Sequence, residues 1–140
     1  MAARTPLLKA EGVGIQFGGL KALSGVDMEL HQGELVGLIG PNGAGKTTLF
    51  NLLTGVYVPT EGRIMLDGET LNGLPPYKIT RKGISRTFQN IRLFGELSVL
   101  DNVKVAYHTH ARHSMMSSIL RLPSHLRGER EMEEKAIEFL

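Results

Sequence analysis

The octet Gly40-Pro41-Asn42-Gly43-Ala44-Gly45-Lys46-Thr47 fits G-x-x-x-x-G-K-[ST], the spacing of a loop that wraps the phosphates of a nucleoside triphosphate. Gly43 and Gly45 let the backbone take conformations closed to larger residues, which turns peptide N–H groups toward phosphate oxygens. Lys46 then reaches the β and γ phosphates as a point charge, and the Thr47 hydroxyl coordinates Mg²⁺. Gly40, Pro41, Asn42, Ala44 and Thr48 complete the set of expected cofactor-binding positions. A glycine-rich turn that happens to precede a lysine would match the same letters. It would not supply the flanking elements, and here both are expected. Leu35-Val36-Gly37-Leu38-Ile39 is apolar on both alternating faces, the pattern of a strand buried in a parallel sheet. Thr48 to Thr54 reads as a helix, with Gly55 where a left-handed residue ends one. Strand, loop and helix N-terminus follow in order, with the helix dipole adding partial positive charge at the phosphates. The chemistry implied is binding of ATP or GTP.

The surrounding elements must hold that loop. Residues 8–17 and 26–30 read as strands, the second with Val26, Met28 and Leu30 facing inward and Asp27 and Glu29 outward. After a turn at Pro59-Thr60-Glu61-Gly62, residues 63–69 form a strand closing on a hairpin turn at Gly68. Pro75-Pro76 opens a short helix ending near Gly83. Residues 84–88 are expected to be another strand, and Ser98-Val99-Leu100-Asp101 is a capped helix start. Met132, Ala136, Phe139 and Leu140 recur at helical spacing, so the chain ends on an amphipathic helix.

Composition narrows the class. The 140 residues contain no cysteine, which excludes a disulfide framework and thiolate metal sites. No apolar stretch approaches the roughly 18–20 residues that span a bilayer, and Lys9 and Glu11 interrupt what would be the core of a signal peptide. The cytoplasm is therefore the expected compartment. A net charge of +2 with scattered basic residues argues against a nucleic-acid partner. Among the five histidines, His108, His110 and His113 cluster, but their spacing does not share one helix face, so no metal site is read there.

The phosphate loop in G-P-N-G-A-G-K-T-T-L, an aromatic at Phe17 before it, and Gln89 after it in Arg86-Thr87-Phe88-Gln89-Asn90 resemble the ATP-binding subunit of ABC transporters. Phe17-Gly18-Gly19-Leu20-Lys21-Ala22-Leu23, taken with Arg86 to Phe94, most resembles the branched-chain amino-acid uptake family. The resemblance runs the length of the chain. It implies that Phe17 stacks on adenine, a task suited to a flat π face. Read without the family, Phe17 is more simply a core aromatic at a strand end. It implies that Gln89 contacts Mg²⁺ and the attacking water, which a neutral amide can do without adding charge. Without the family a loop glutamine is simply solvated. Lys46 and Gln89 are thus the expected catalytic residues, and Thr47 and Gln89 the expected metal ligands.

The family's remaining catalytic parts are a Leu-Ser-Gly-Gly-Gln signature, an apolar strand ending in Asp and then Glu, and a switch histidine. They do not occur in these 140 residues. Leu23-Ser24-Gly25-Val26-Asp27 imitates the signature but precedes the phosphate loop and reads as strand. The resemblance therefore implies an α/β fold, incomplete at the C-terminus. A P-loop NTPase core and antiparallel β subdomain occupy roughly residues 1–95, and the start of a helical subdomain occupies 96–140. Its cofactors are ATP and Mg²⁺. Its partners are transmembrane permease subunits, a second ATP-binding subunit and, indirectly, a periplasmic or extracellular solute-binding protein, with the chain peripheral on the cytoplasmic face of the plasma membrane. The function implied is ATP hydrolysis that energises a membrane importer for branched-chain amino acids. The alternatives are a nucleotide-binding fragment without turnover, an importer of urea or amides, and a different P-loop protein. Against the last, the guanine-reading Asn-Lys-x-Asp is absent.

Overall fold

The computed structural model describes residues 5–88, 93–107 and 123–140. Two compact units divide the chain, Met1–Thr87 and Phe88–Leu140. The first is an antiparallel sheet of order β2-β1-β3-β4 with helices, built from β1 (Leu8–Phe17), β2 (Leu20–Leu30), α1 (Lys46–Leu53), β3 (Glu61–Leu66), β4 (Glu69–Thr70) and α2 (Pro76–Arg81).

β1 is the organising strand because it is paired on both edges. Leu8, Ala10, Val13 and Ile15 are buried, a sequence of positions that breaks strict alternation between 10 and 13. Both neighbours shift register there, β2 between Ala10 and Val13 and β3 between Glu11 and Gly14. A bulge of this kind inserts one residue and re-phases the strand, so odd positions take over the inward face from even ones. Asp27 Oδ1 accepts the freed Gly12 N–H at 2.7 Å.

The inward face of β1 is covered by α1, whose Leu49, Leu52 and Leu53 are buried with Ile64 of β3 and Ile79 of α2. β3 turns into β4 through Asp67-Gly68, both left-handed at φ 49° and 77°, the pair of conformations that a two-residue hairpin turn requires. Beyond β4, the Asn72 side chain accepts from Ile64 N–H at 2.8 Å and donates to Gly62 carbonyl at 3.0 Å, completing the edge of β3. Pro76 opens α2 as expected, since its missing N–H costs nothing at a first helical position.

Two expected strands are not formed. Residues 34–39 and 84–88 belong to no strand of the sheet. Leu35 is 100% exposed and Ile39 94%. Apolar pattern states what a segment needs to bury, but a parallel strand exists only between neighbours that satisfy its N–H and C=O groups. No strand among the described residues lies beside 34–39.

The second unit contains α3 (Val99–Tyr107) and α4 (Pro123–Glu138), which pack on each other. Ser98 Oγ accepts the Asp101 N–H at 3.1 Å, the expected cap. Asn102 fastens the preceding turn, accepting from Phe94 N–H at 2.9 Å and donating to Phe94 and Ser98 carbonyls. Met132 and Ala136 are buried on α4, whereas Phe139 and Leu140 lie past its end and are exposed. The apolar stripe expected to include them stops with the helix.

On the outer face of the sheet, residues directly opposite in register carry opposite charges: Lys9 faces Glu29 and Glu11 faces Arg63. Lys9 Nζ lies 2.9 Å from Glu29 and 3.0 Å from Glu11, and Arg63 Nε lies 2.7 Å from Glu11. Lys9 above all, and Arg63 after it, hold the Glu11 carboxyl below the ordinary glutamate range. A carboxylate with a depressed folded-state pKa contributes stability above its unfolded pKa and loses it as pH falls through the folded one. Glu11→Gln is therefore expected to flatten the decline in melting temperature between roughly pH 5 and pH 2 relative to the parent, and added salt to shrink the difference. At Gly55, φ is 72° and a β-carbon would lie 2.6 Å from Ile79 Cδ1 and 2.8 Å from the Leu74 carbonyl oxygen. Gly55→Ala is expected to cost about 1–3 kcal/mol from the backbone conformation alone, measurable by denaturant unfolding.

Candidate functional site

The glycine-loop residues 40–47 run from the segment 34–39 into the first turn of α1, and helix packing fixes where the loop ends. Gly45 is the N-cap of α1 with φ 84°, and a β-carbon there would lie 2.6 Å from Leu23 Cδ2 and 3.2 Å from the Ala22 carbonyl oxygen. The torsion demands glycine, and the approach of β2 leaves little room for a side chain. Leu49 N–H bonds Gly45 carbonyl at 2.9 Å, and Ala44 N–H bonds Pro41 carbonyl at 3.2 Å. The amides of Lys46, Thr47 and Thr48 donate to no carbonyl among the described residues, as the first turn of a helix must leave them.

Lys46 folds back over this loop. Its Nζ donates to Gly40 carbonyl at 2.6 Å and to Pro41 carbonyl at 2.7 Å. The ammonium is thereby held on the loop whose helical end carries the free amides. Cation, free N–H groups and the positive end of the α1 dipole all belong to residues 40–48, and an anion with several oxygens is the ligand chemistry they fit. Thr47 is exposed at the helix start, with its hydroxyl engaged by no hydrogen bond among the described residues. The donor set thus fits a triphosphate with its divalent cation: amides and ammonium for phosphate oxygens, a hydroxyl for the metal.

Phe17 ends β1 and is 44% exposed, which does not suit a core aromatic. Its ring meets that of Tyr57 edge-on, centroids 5.1 Å apart and planes at 72°. Gln89 lies outside the described residues, as do His108, His110 and His113. Upstream of Gln89, Arg86 Nη1 donates to Asn51 Oδ1 at 2.7 Å, and its guanidinium lies 5.9 Å from the Phe50 ring centroid. The segment leading toward Gln89 is therefore tied to the helix that carries the phosphate loop.

Sequence reasoning did not single out Tyr57, Asn51 or the Arg86 contact. Tyr57 comes two residues after the helix-ending Gly55, and no spacing in one dimension relates position 57 to position 17. What relates them is the return of the chain to β1, where Thr60 N–H bonds Gly14 carbonyl at 2.9 Å.

The first unit, a glycine loop entering a helix against a β-sheet, defines an α/β nucleotide-binding core of the P-loop type. Comparison with known proteins narrows the class. The sequence pattern of the ABC transporter family matches residues 23–139. The chain is 48% identical to the high-affinity branched-chain amino acid transport ATP-binding protein BraF of Pseudomonas aeruginosa. It is 47% identical to the ATP-binding protein LivG of the same description from Escherichia coli. Each match covers 96% of this chain and 53% of the relative. Among solved structures, the ATP-binding cassette MJ1267 of an ABC transporter superposes with a TM-score of 0.68 at 32% identity, covering 83% of this chain and 46% of that one. The cassette MJ0796, dimeric and bound to ADP and Pi after hydrolysis, gives a TM-score of 0.67 at 26% identity, covering 94% and 54%. The chain belongs to the ABC transporter family, and it spans about half the length of the curated relatives it matches.

Removing the ammonium while leaving the loop intact isolates its contribution. Lys46→Ala is expected to weaken Mg-ATP by roughly 1.5–3 kcal/mol, about tenfold to more than a hundredfold, at matched folding. Calorimetric titration of folded parent and variant decides it: equal affinities would remove Lys46 from the site.

Proposed function

We propose that this chain binds Mg-ATP and forms part of the ATP-hydrolysing subunit that energises a membrane importer for branched-chain amino acids. The observation that carries the first half is the convergence of Lys46 Nζ and the unbonded amides of Lys46, Thr47 and Thr48 on one loop. The second half is supported by 47–48% identity, across 96% of the chain, to subunits described as branched-chain amino acid transport ATP-binding proteins.

In this reading the loop residues 40–48 bind the triphosphate, and Lys46 exchanges its two carbonyl acceptors for β and γ phosphate oxygens. The bound ATP and Mg²⁺ supply a phosphoryl group in transfer and a counter-charge for its oxygens. Lys46 and the loop amides stabilise the charge that grows on those oxygens, by prepositioned dipoles that need no rearrangement at the moment of reaction. Thr47 would hold the metal through its hydroxyl, and Gln89 would orient water and metal through its neutral amide. Phe17 stacks on the adenine. Residues 1–95 form the nucleotide-binding core and β subdomain, and 96–140 open the helical subdomain. The partners are transmembrane permease subunits, a second ATP-binding subunit and, through the permease, an extracytoplasmic solute-binding protein, with no nucleic acid. The protein would sit peripherally on the cytoplasmic face of the membrane. Among the described residues no helix is long and apolar enough to cross it.

The solute is tested in the organism that carries the gene. With Lys46→Ala introduced at the locus, uptake of labelled leucine, isoleucine and valine is expected to fall to background while urea uptake stays unchanged. Loss of urea uptake with branched-chain uptake intact would replace the solute, and no change in either would remove the importer reading.

A further inference from the structure

The aromatic at the end of β1 does not stand alone. Tyr57 meets Phe17 edge to face at 5.1 Å, and both rings remain partly open to solvent, Phe17 at 44% and Tyr57 at 37% exposed. Near-perpendicular pairing is the geometry that aligns the positive edge of one ring with the negative face of the other. Tyr57 is itself held. Its N–H and that of Val56 both bond the Asn51 carbonyl, at 3.1 and 2.9 Å, closing the C-terminal end of α1. Three residues on, Thr60 N–H is bonded to Gly14 of β1 at 2.9 Å. The segment carrying Tyr57 is thus pinned at one end to the phosphate-loop helix and at the other to the strand that carries Phe17.

We propose that Tyr57 is a positioning residue for base recognition: its ring fixes the orientation of Phe17, so that the remaining open side of Phe17 is presented to a purine-type base. This rests on the reading of Phe17 as the base platform. A phenylalanine half-exposed at a strand end would otherwise exchange between staggered rotamers, and ordering it would be part of the cost of each binding event. Tyr57 removes that cost in advance. Because Tyr57 is bonded to the last turn of α1 and the phosphates are bound at its first, one rigid helix sets the distance from base platform to triphosphate.

The test compares Mg-ATP with inorganic tripolyphosphate plus Mg²⁺, which shares the phosphates and lacks the base, by calorimetry on the full chain. The variants are Phe17→Ala, Tyr57→Ala, Tyr57→Leu, Tyr57→Phe and the Phe17→Ala/Tyr57→Ala double. Tyr57→Ala and Tyr57→Leu are each expected to weaken ATP about two- to tenfold and to leave tripolyphosphate unchanged, while Tyr57→Phe binds as the parent does. Tyr57→Leu keeps the apolar bulk, so it carries the measurement where Tyr57→Ala fails to fold. The double variant is expected to bind ATP no more weakly than Phe17→Ala alone, since Tyr57 acts only through Phe17. Equal weakening of both ligands, or of neither, overturns the proposal, as does full additivity in the double variant, which would put Tyr57 on the base directly. If Phe17→Ala leaves ATP affinity unchanged, the platform reading itself fails and this inference falls with it. If Phe17→Ala weakens ATP and the Tyr57 variants do not, only the role of Tyr57 is lost.

Discussion

Everything in the first unit depends on the burial of one face of α1 against β1 and β3. Leu49, Leu52 and Leu53 occupy the same core as Ala10, Val13, Ile15 and Ile64, and burying a leucine or isoleucine side chain contributes about 1.5–3 kcal/mol each. Isolated helices of eight residues do not persist in water, so α1 exists because the sheet receives it. Its axis, and hence the direction of its unbonded N-terminal amides, is set by those three leucines. The same packing brings Gly45 against β2, where a β-carbon would meet the Ala22 carbonyl oxygen at 3.2 Å, at the point where the helix begins.

The second consequence of that burial concerns the far end of the helix. Asn51 serves two connections at once: its carbonyl closes the helix by accepting Val56 and Tyr57, and its side-chain oxygen accepts Arg86. The aromatic pair and the approach to Gln89 are both referred to α1 in this way, one through main chain and one through side chain. A helix of only eight residues thereby relates the glycine loop, the Phe17–Tyr57 pair and the segment that carries Arg86.

The phosphate loop, α1, the hairpin at Asp67-Gly68, the Pro76 helix start and the Ser98 cap were legible from residue type and spacing, because each follows from local chemistry: a special torsion, a missing N–H, a side-chain oxygen beside a free amide. The strands expected at 34–39 and 84–88 were not formed, because apolar alternation records a demand for partners and cannot show whether partners are present. The bulge in β1 was invisible for a related reason. Leu8, Ala10, Val13 and Ile15 spell a broken alternation that becomes intelligible only when both neighbouring strands shift register there. At the site, Lys46 and Thr47 were readable as a motif, and Phe17 only through family resemblance. Tyr57 carried no signal at all, since its place beside Phe17 is created by the path of residues 54–60 and by no pattern within them.

The bonds from Lys46 to the Gly40 and Pro41 carbonyls make the loop a chelate of its own ammonium. An incoming anion does not meet a bare cation. It competes with two neutral oxygen ligands already in place, so what calorimetry reads is a ligand exchange, carbonyl oxygen for anionic oxygen, at nearly constant coordination of the nitrogen. A neutral ligand has little to offer in such an exchange, while a polyanion gains the full difference between an ion–dipole and an ion–ion contact. Such an exchange favours polyanions over neutral ligands, and added salt is expected to weaken it.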